Sequence, residues 1–136
     1  MKKFSKKTFK RKLHALWSLY IRTRDNFTCQ WCGKQCEKGA CDAHHIIPKG
    51  RCGNVGRYDI RNGMTLCSPC HLWKSKSNYV EFARFVEKWL KNRGINYNTL
   101  SQQYRGAIIK DNHEWYESKS KTLQEMLGEL NKQDLF

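Results

Sequence analysis

At 136 residues, with 39% hydrophobic and 28% charged side chains, the chain is long enough for one small core and too polar for a large one, so a further source of stability is expected. Its 26 Lys and Arg against 12 Asp and Glu leave a net charge of +14, which excludes an acidic ion-buffering protein and points to a polyanionic partner. No apolar run approaches the ~18 residues of a membrane span, and residues 13–21, despite the basic stretch before them, include His14 and Ser18 and lead to no small-residue cleavage site. No membrane association and a cytoplasmic location are therefore expected.

The charge is unevenly spread. Residues 1–80 hold 17 Lys/Arg and 4 Asp/Glu, a net of +13, whereas residues 81–136 hold 9 and 8. Nucleic acid is the expected partner, engaged by the first three fifths of the chain.

Residues 1–12 read as a basic N-terminal arm. Leu13, Leu16, Trp17 and Tyr20 then recur at i, i+3, i+4 and i+7, which predicts an amphipathic helix over 13–24. His14 falls off that stripe and is expected to face solvent. Residues 27–34 read as a short hairpin knuckle, and Ala43-His44-His45-Ile46-Ile47-Pro48 as a strand that Pro48 ends. Gly50, Gly53 and Gly56 among Lys49, Arg51 and Arg57 predict a flexible cationic loop over 49–58. Asn62-Gly63 turns the chain into a second short strand, 64–66, and a helix is expected to begin at 69–71.

Asn78 with Glu81 three residues later has the form of a capping box. Val80, Phe82, Ala83, Val86, Trp89 and Leu90 supply the stripe of the helix it opens, and Gly94 closes it. Trp115, Leu123, Met126, Leu127 and Leu130 predict a last helix over about 112–133. The domain organisation read from this is an arm (1–12), a core with flanking helices (13–94) and a helical C-terminal extension (95–136).

Seven cysteines without an export signal favour metal over disulfides. Cys29-x-x-Cys32-Gly33 and Cys67-x-x-Cys70 each form a turn that aims two thiolates at one point, and together they complete a closed, structural zinc site. Such a site contributes on the order of 10 kcal/mol to folding. Cys36, Cys41 and Cys52 read as small core residues.

Between the two pairs lie His44, His45 and Asn62, and His71 follows Cys70 directly. A hairpin followed by a helix brings the end of the first strand beside the helix N-terminus, so His44 or His45 meets His71 around one divalent ion. Strict alternation puts His44 and His45 on opposite faces, so both serve one site only where the strand ends or bends. Asp42 shares a face with His44 and is expected to be a solvent-exposed carboxylate; His113 is expected at the surface.

These runs, together with Arg61-Asn62-Gly63 and Leu66-Cys67-x-x-Cys70-His71, resemble the HNH endonuclease motif, or ββα-metal fold, with its structural zinc. The likeness spans about residues 27–76. It implies an α+β fold: a small zinc-stapled ββα-metal core with an N-terminal helix and a helical C-terminal extension. It also implies a metal-dependent DNA endonuclease that leaves 5′-phosphate and 3′-hydroxyl ends. In that family's terms His45 is the general base, His44 and His71 hold the catalytic divalent ion, and Asn62 orients the segment carrying His45 or reaches the metal. Two imidazoles tolerate Mn²⁺, Ni²⁺ or Zn²⁺, while Mg²⁺ prefers oxygen.

Lys49, Arg51, Arg57 and Arg61 are expected to hold DNA phosphates without reading bases. The wider layout resembles the phage Rap/NinG recombination endonucleases, through Leu16-Trp17-Ser18-x-Tyr20-Ile21-Arg22-x-Arg24-Asp25 and Arg57-Tyr58-Asp59-x-Arg61-Asn62. A His stands at 44 where those proteins more often have Gly. This second likeness implies branched or nicked DNA as substrate, a bacterial host cell as location and a homodimer through the C-terminal helices. The rival reading is a non-catalytic zinc-containing module that binds nucleic acid by charge alone.

Overall fold

The structure, a computed structural model, describes residues 5–37 and 40–133; residues 1–4 of the expected arm and the last three of the C-terminal extension lie outside them. Helix α1 (Lys6–Arg24) starts where the Ser5 side chain accepts the Thr8 amide at 3.3 Å. It begins earlier than its apolar stripe predicts, so residues 6–12 of the basic arm form its first turns. Leu13, Trp17 and Ile21 are fully buried along one face, as their spacing requires.

Strands β1 (Cys41–His45) and β2 (Gly63–Cys67) pair antiparallel, with Cys41 opposite Cys67 and His45 opposite Gly63. Every residue of β2 is buried. Gly63 has to be glycine, because a Cβ there would stand 2.7 Å from Trp17 and 2.8 Å from Ile21. The sheet therefore lies directly on α1. Arg24 and Asp25 fasten the same junction: Arg24 donates to the carbonyls of Ile60 and Gly63, and buried Asp25 accepts the Thr65 amide at 2.9 Å.

The expected flexible loop at 49–58 is instead helical. Helix α2 (Lys49–Arg57) is two turns joined at Gly53, whose φ of +60° interrupts the helix. Glycine content alone argues against a helix, but tertiary contacts override it. Cys52 and Gly56 are buried, and a Cβ at Gly56 would lie 2.5 Å from Cys52 and 2.8 Å from the Tyr104 ring. A 3-10 turn, Ile60–Asn62, leads into β2.

After β2 the chain enters a π-helical turn, Cys70–Lys74, continued by one helical turn, α3 (Ser75–Ser77). Helix α4 (Tyr79–Lys91) buries Phe82, Val86, Trp89 and Leu90 of its predicted stripe, while Val80 and Ala83 stay exposed. Gly94 closes the segment at φ +73°. Helix α5 (Tyr97–Gly106), capped by Asn96 onto the Thr99 amide, falls within the expected helical extension, though no apolar stripe singles it out. Helix α6 (His113–Gln133) packs Tyr116 and Leu123 against Leu13 and Trp17 of α1.

The result is an α+β fold with two apolar clusters. One joins α1 to α6; the other joins β2, α4 and α5 to the cysteine knuckle. Among the described residues no helix is long and apolar enough to cross a membrane.

Candidate active site and metal centre

The knuckle before β1 and the turn after β2 bring Cys29, Cys32, Cys67 and Cys70 together, with all four sulfurs within 4.8 Å of one another. The Cys32 and Cys67 sulfurs are 3.7 Å apart across 35 residues. A tetrahedron with Zn–S bonds of ~2.3 Å has an edge of ~3.8 Å, so the donor set and its spacing fit zinc. Three of the four are buried. Burial raises the Cys29 thiol, but the amides of Cys32, Cys67 and Trp31 outweigh it and bring its pKa to about 7. Cys36, Cys41 and Cys52 are free and buried, as small core residues should be. Among the described residues the four thiols are the only group of three or more His, Cys, Asp and Glu side chains gathered so closely.

His45 ends β1 on the α1 side of the sheet. Its ring lies flat on Trp17, centroids 4.0 Å apart and planes at 9°. Its Nε2 is 2.9 Å from the Arg57 carbonyl. A carbonyl only accepts, so Nε2 carries the proton and donates, which leaves the lone pair on Nδ1. Burial pushes the His45 pKa down to about 4; the Arg57 carbonyl opposes this, while Lys49, His14 and Arg57 add to it. The ring is neutral at pH 7, and its acceptor nitrogen is defined.

Asn62, fully buried, spends its side chain on backbone. Its Oδ1 accepts the Ile47 amide at 2.7 Å, and its Nδ2 donates to the carbonyls of Ile47 and Gly56 at 3.1 and 2.9 Å. Both amide protons are thus committed to backbone. The side chain staples the end of β1 to α2, the two segments that position His45 and its carbonyl partner.

His44 faces the other side of the sheet, edge-on to His71 with centroids 5.3 Å apart and backed by Phe82 at 5.5 Å. Burial, then the neighbouring His71 and His45, lower its pKa to about 4. His71 Nδ1 lies 3.2 Å from Asp42 Oδ2. Asp42 is exposed, as expected, but it is not idle: its Oδ2 accepts a hydrogen bond from His71 Nδ1–H, which leaves Nε2 as the ring's acceptor. The structure brings His44 and His71 together and sets His45 on the opposite side of β1, as strand alternation dictates.

The four expected phosphate-binding cations diverge. Lys49 and Arg57 stand beside His45 and His14. Arg61 is taken up by Asp59, with a 2.7 Å ion pair, and by Gln103. Arg51 is exposed on α2. His14 keeps a face to solvent as predicted, yet its ring stacks 6.0 Å from His45. Partial burial, Lys49, Arg57 and Arg22 hold its pKa below the ordinary value. In the sequence Trp17 and His14 show only as two faces of one helix, and the one signal that joins them to His45 is the basic-aromatic density of α1.

Residues 29–77, roughly a third of the chain, match the HNH endonuclease family. No curated protein and no solved structure matches the chain. The matched segment begins at the first zinc-type cysteine and ends after His71, so it contains every histidine and cysteine placed in the two centres except His14.

Proposed function

We propose that the protein is a metal-dependent DNA endonuclease that hydrolyses a phosphodiester bond and leaves 5′-phosphate and 3′-hydroxyl ends. The observation that carries this is the state of His45: neutral, clamped on Trp17, with Nε2 fixed to the Arg57 carbonyl and Nδ1 free to take a proton from water. A binding module has no need of a histidine whose tautomer is set. Lys49 and Arg57 supply positive charge next to that nitrogen, where a phosphate would lie.

His44 and His71 are the residues that would hold a catalytic divalent ion, each offering a ring nitrogen, with Asp42 orienting His71. Such an ion, when bound, supplies charge neutralisation at the phosphorus centre and the 3′-oxygen leaving group. Two imidazoles leave room for substrate oxygens and suit Mn²⁺, Ni²⁺ or Zn²⁺; Mg²⁺, which prefers oxygen, would lean on the phosphate and water oxygens for its remaining ligands. Asn62 acts by position, holding the backbone on both sides of His45. The four thiolates hold a structural zinc that fastens the knuckle to β2.

Branched or nicked DNA as substrate, and a role in phage recombination, belong to this proposal through the likeness of residues 16–25 and 57–62 to the Rap/NinG proteins. A homodimer through α6 has the half-buried Met126, Leu127 and Leu130 to support it, since Tyr116 and Leu123 are spent on α1. One observation favours the second reading, a non-catalytic zinc module: His44 and His45 lie on opposite faces of β1, with His45 against α1. A cleavage assay in Mg²⁺, Mn²⁺ or Ni²⁺ on linear, nicked and four-way-junction DNA separates the two. Cutting that depends on added ion supports the nuclease; binding without cutting in every ion supports the module.

A further inference from the structure

Helix α1 begins against the rules of helix electrostatics. The N-terminus of a helix carries partial positive charge, and acidic residues belong in the first turn. The first turn of α1 holds no acidic residue and instead has Lys6 and Lys7, followed by Lys10 and Arg11. Lys6–Lys10, Lys7–Lys10 and Lys7–Arg11 are like-charge pairs at i, i+3 and i, i+4, which repel across one helix face. A sequence that breaks a local rule without local gain usually does so for function.

These four cations are not dispersed. Together with Lys49 and Arg57 of α2 they line one cleft of about 550 Å³, which His14, Ala15 and Tyr58 complete. No carboxylate lines it. Lys6 reaches Asp111 at 3.5 Å, and the other α1 cations face the cleft without an ion pair among the described residues. Arg57 Nε is buried there with no hydrogen-bond partner. The cleft shares Lys49, Arg57 and His14 with the surroundings of His45, so it runs from the proposed base outward along α1.

We infer that this α1–α2 cleft is a binding track for the sugar-phosphate backbone of duplex nucleic acid, to one side of the bond that is cut. The inference rests on the nuclease reading for its partner, and on the helix and cleft for its place. From Lys6 to His14 the helix rises roughly 12 Å. A strand of duplex DNA advances 3.4 Å per phosphate, so the track spans about three phosphates. The polyanion would supply the negative charge that the first turn lacks, so binding and helix stability are linked.

The test is the salt dependence of binding to a 20-base-pair DNA duplex, measured without added divalent ion so that cleavage does not enter. Each phosphate contact contributes about 0.9 to the slope of log Kd against log salt. The triple variant Lys7→Ala, Lys10→Ala, Arg11→Ala should therefore lose about 2.7 from the slope. Removing three exposed cations elsewhere (Lys91→Ala, Lys121→Ala, Lys132→Ala) should lose much less. Equal losses from the two triples would overturn the inference, as would loss of binding to phosphatidylserine vesicles with duplex binding unchanged.

Should the triple variant fold poorly, Lys7→Glu decides. It places an acid where α1 wants one, so melting temperature should hold or rise while the slope falls. An unchanged slope refutes the track. A wild-type protein that binds with the expected slope yet never cuts refutes the nuclease reading and leaves the track standing.

Discussion

Trp17 lies flat against His45, with ring centroids 4.0 Å apart and planes within 9°, while its indole Nε1 donates to the Asp59 carbonyl at 2.9 Å. One side chain of α1 thus fixes both the last residue of β1 and the turn that precedes Asn62. Trp17→Leu should lower single-turnover cleavage by about 100-fold, because a displacement of ~1 Å at a reacting group costs that much. DNA affinity should change little. Trp17→Phe keeps the stack, loses the hydrogen bond and should recover most of the rate. A rate loss that Phe does not repair would show that Trp17 acts through stability alone.

One zinc per chain should remain through purification, held by Cys29, Cys32, Cys67 and Cys70. Its binding joins segments 35 residues apart and, at roughly 10 kcal/mol, is comparable to the whole net stability of a domain this size. Chelation should abolish the cooperative melting transition. Serine at Cys36, Cys41 or Cys52 should leave the metal content at one. Elemental analysis of the Cys67→Ser protein is the check, and full zinc content there would contradict the assignment.

Asp42 should matter through His71. Replacing it by Asn removes the carboxylate charge and puts an amide that can donate where only an acceptor stood, which unfixes the His71 tautomer; changes to outer partners of metal ligands usually cost 10–100-fold in affinity. Calorimetric titration of Mn²⁺ into the zinc-loaded protein should show that loss for Asp42→Asn and a larger one for His71→Ala. Part of the cleavage defect of His71→Ala should return at high Mn²⁺. Unchanged Mn²⁺ affinity in both variants would remove His71 from the metal site.

The legible part of the fold was the periodic part. The stripes mark α1, α4 and α6 as helices and pick out Leu13, Trp17, Phe82, Val86, Trp89, Leu90 and Leu123 as buried, although Val80 and Ala83 stay exposed and Met126, Leu127 and Leu130 are only half-buried; the two CxxC turns meet as their geometry requires. What stayed hidden depends on partners distant in sequence. Helix α2 looks like a loop because its glycines oppose helix formation; the Asn62 amide on Gly56 and the Tyr104 ring on its flank hold it together. Helix α5 buries only Leu100 and Tyr104, too sparse a stripe to stand out, although Asn96 three residues before Thr99 is a cap signal. Arg61 counts as free charge in a sequence and is an ion pair in the fold. Asp42 was on the expected face, but its partner lies 29 residues on.

Asp59 gives the fold a pH signature. Burial raises its pKa, but the hydrogen bonds from Arg61 and Tyr104 outweigh this and hold it below the ordinary aspartate range. A depressed folded pKa contributes stability that is present above the unfolded value and is lost as pH falls through the folded one. Asp59→Asn should cost about 1–3 kcal/mol near neutrality. The difference from wild type should shrink below about pH 4. Zinc loss in acid affects both proteins alike, so paired urea titrations across pH isolate the Asp59 contribution. A constant difference down to pH 2 would contradict it.

The measurement that bears most directly on the nuclease assignment is the single-turnover cleavage rate of His45→Ala beside its DNA affinity, in the best of Mg²⁺, Mn²⁺ or Ni²⁺. With His45 as the base, the rate should fall by 10²–10⁴-fold, about the contribution of a positioned base, while Kd stays within about twofold. A variant that cuts at the wild-type rate would contradict the account.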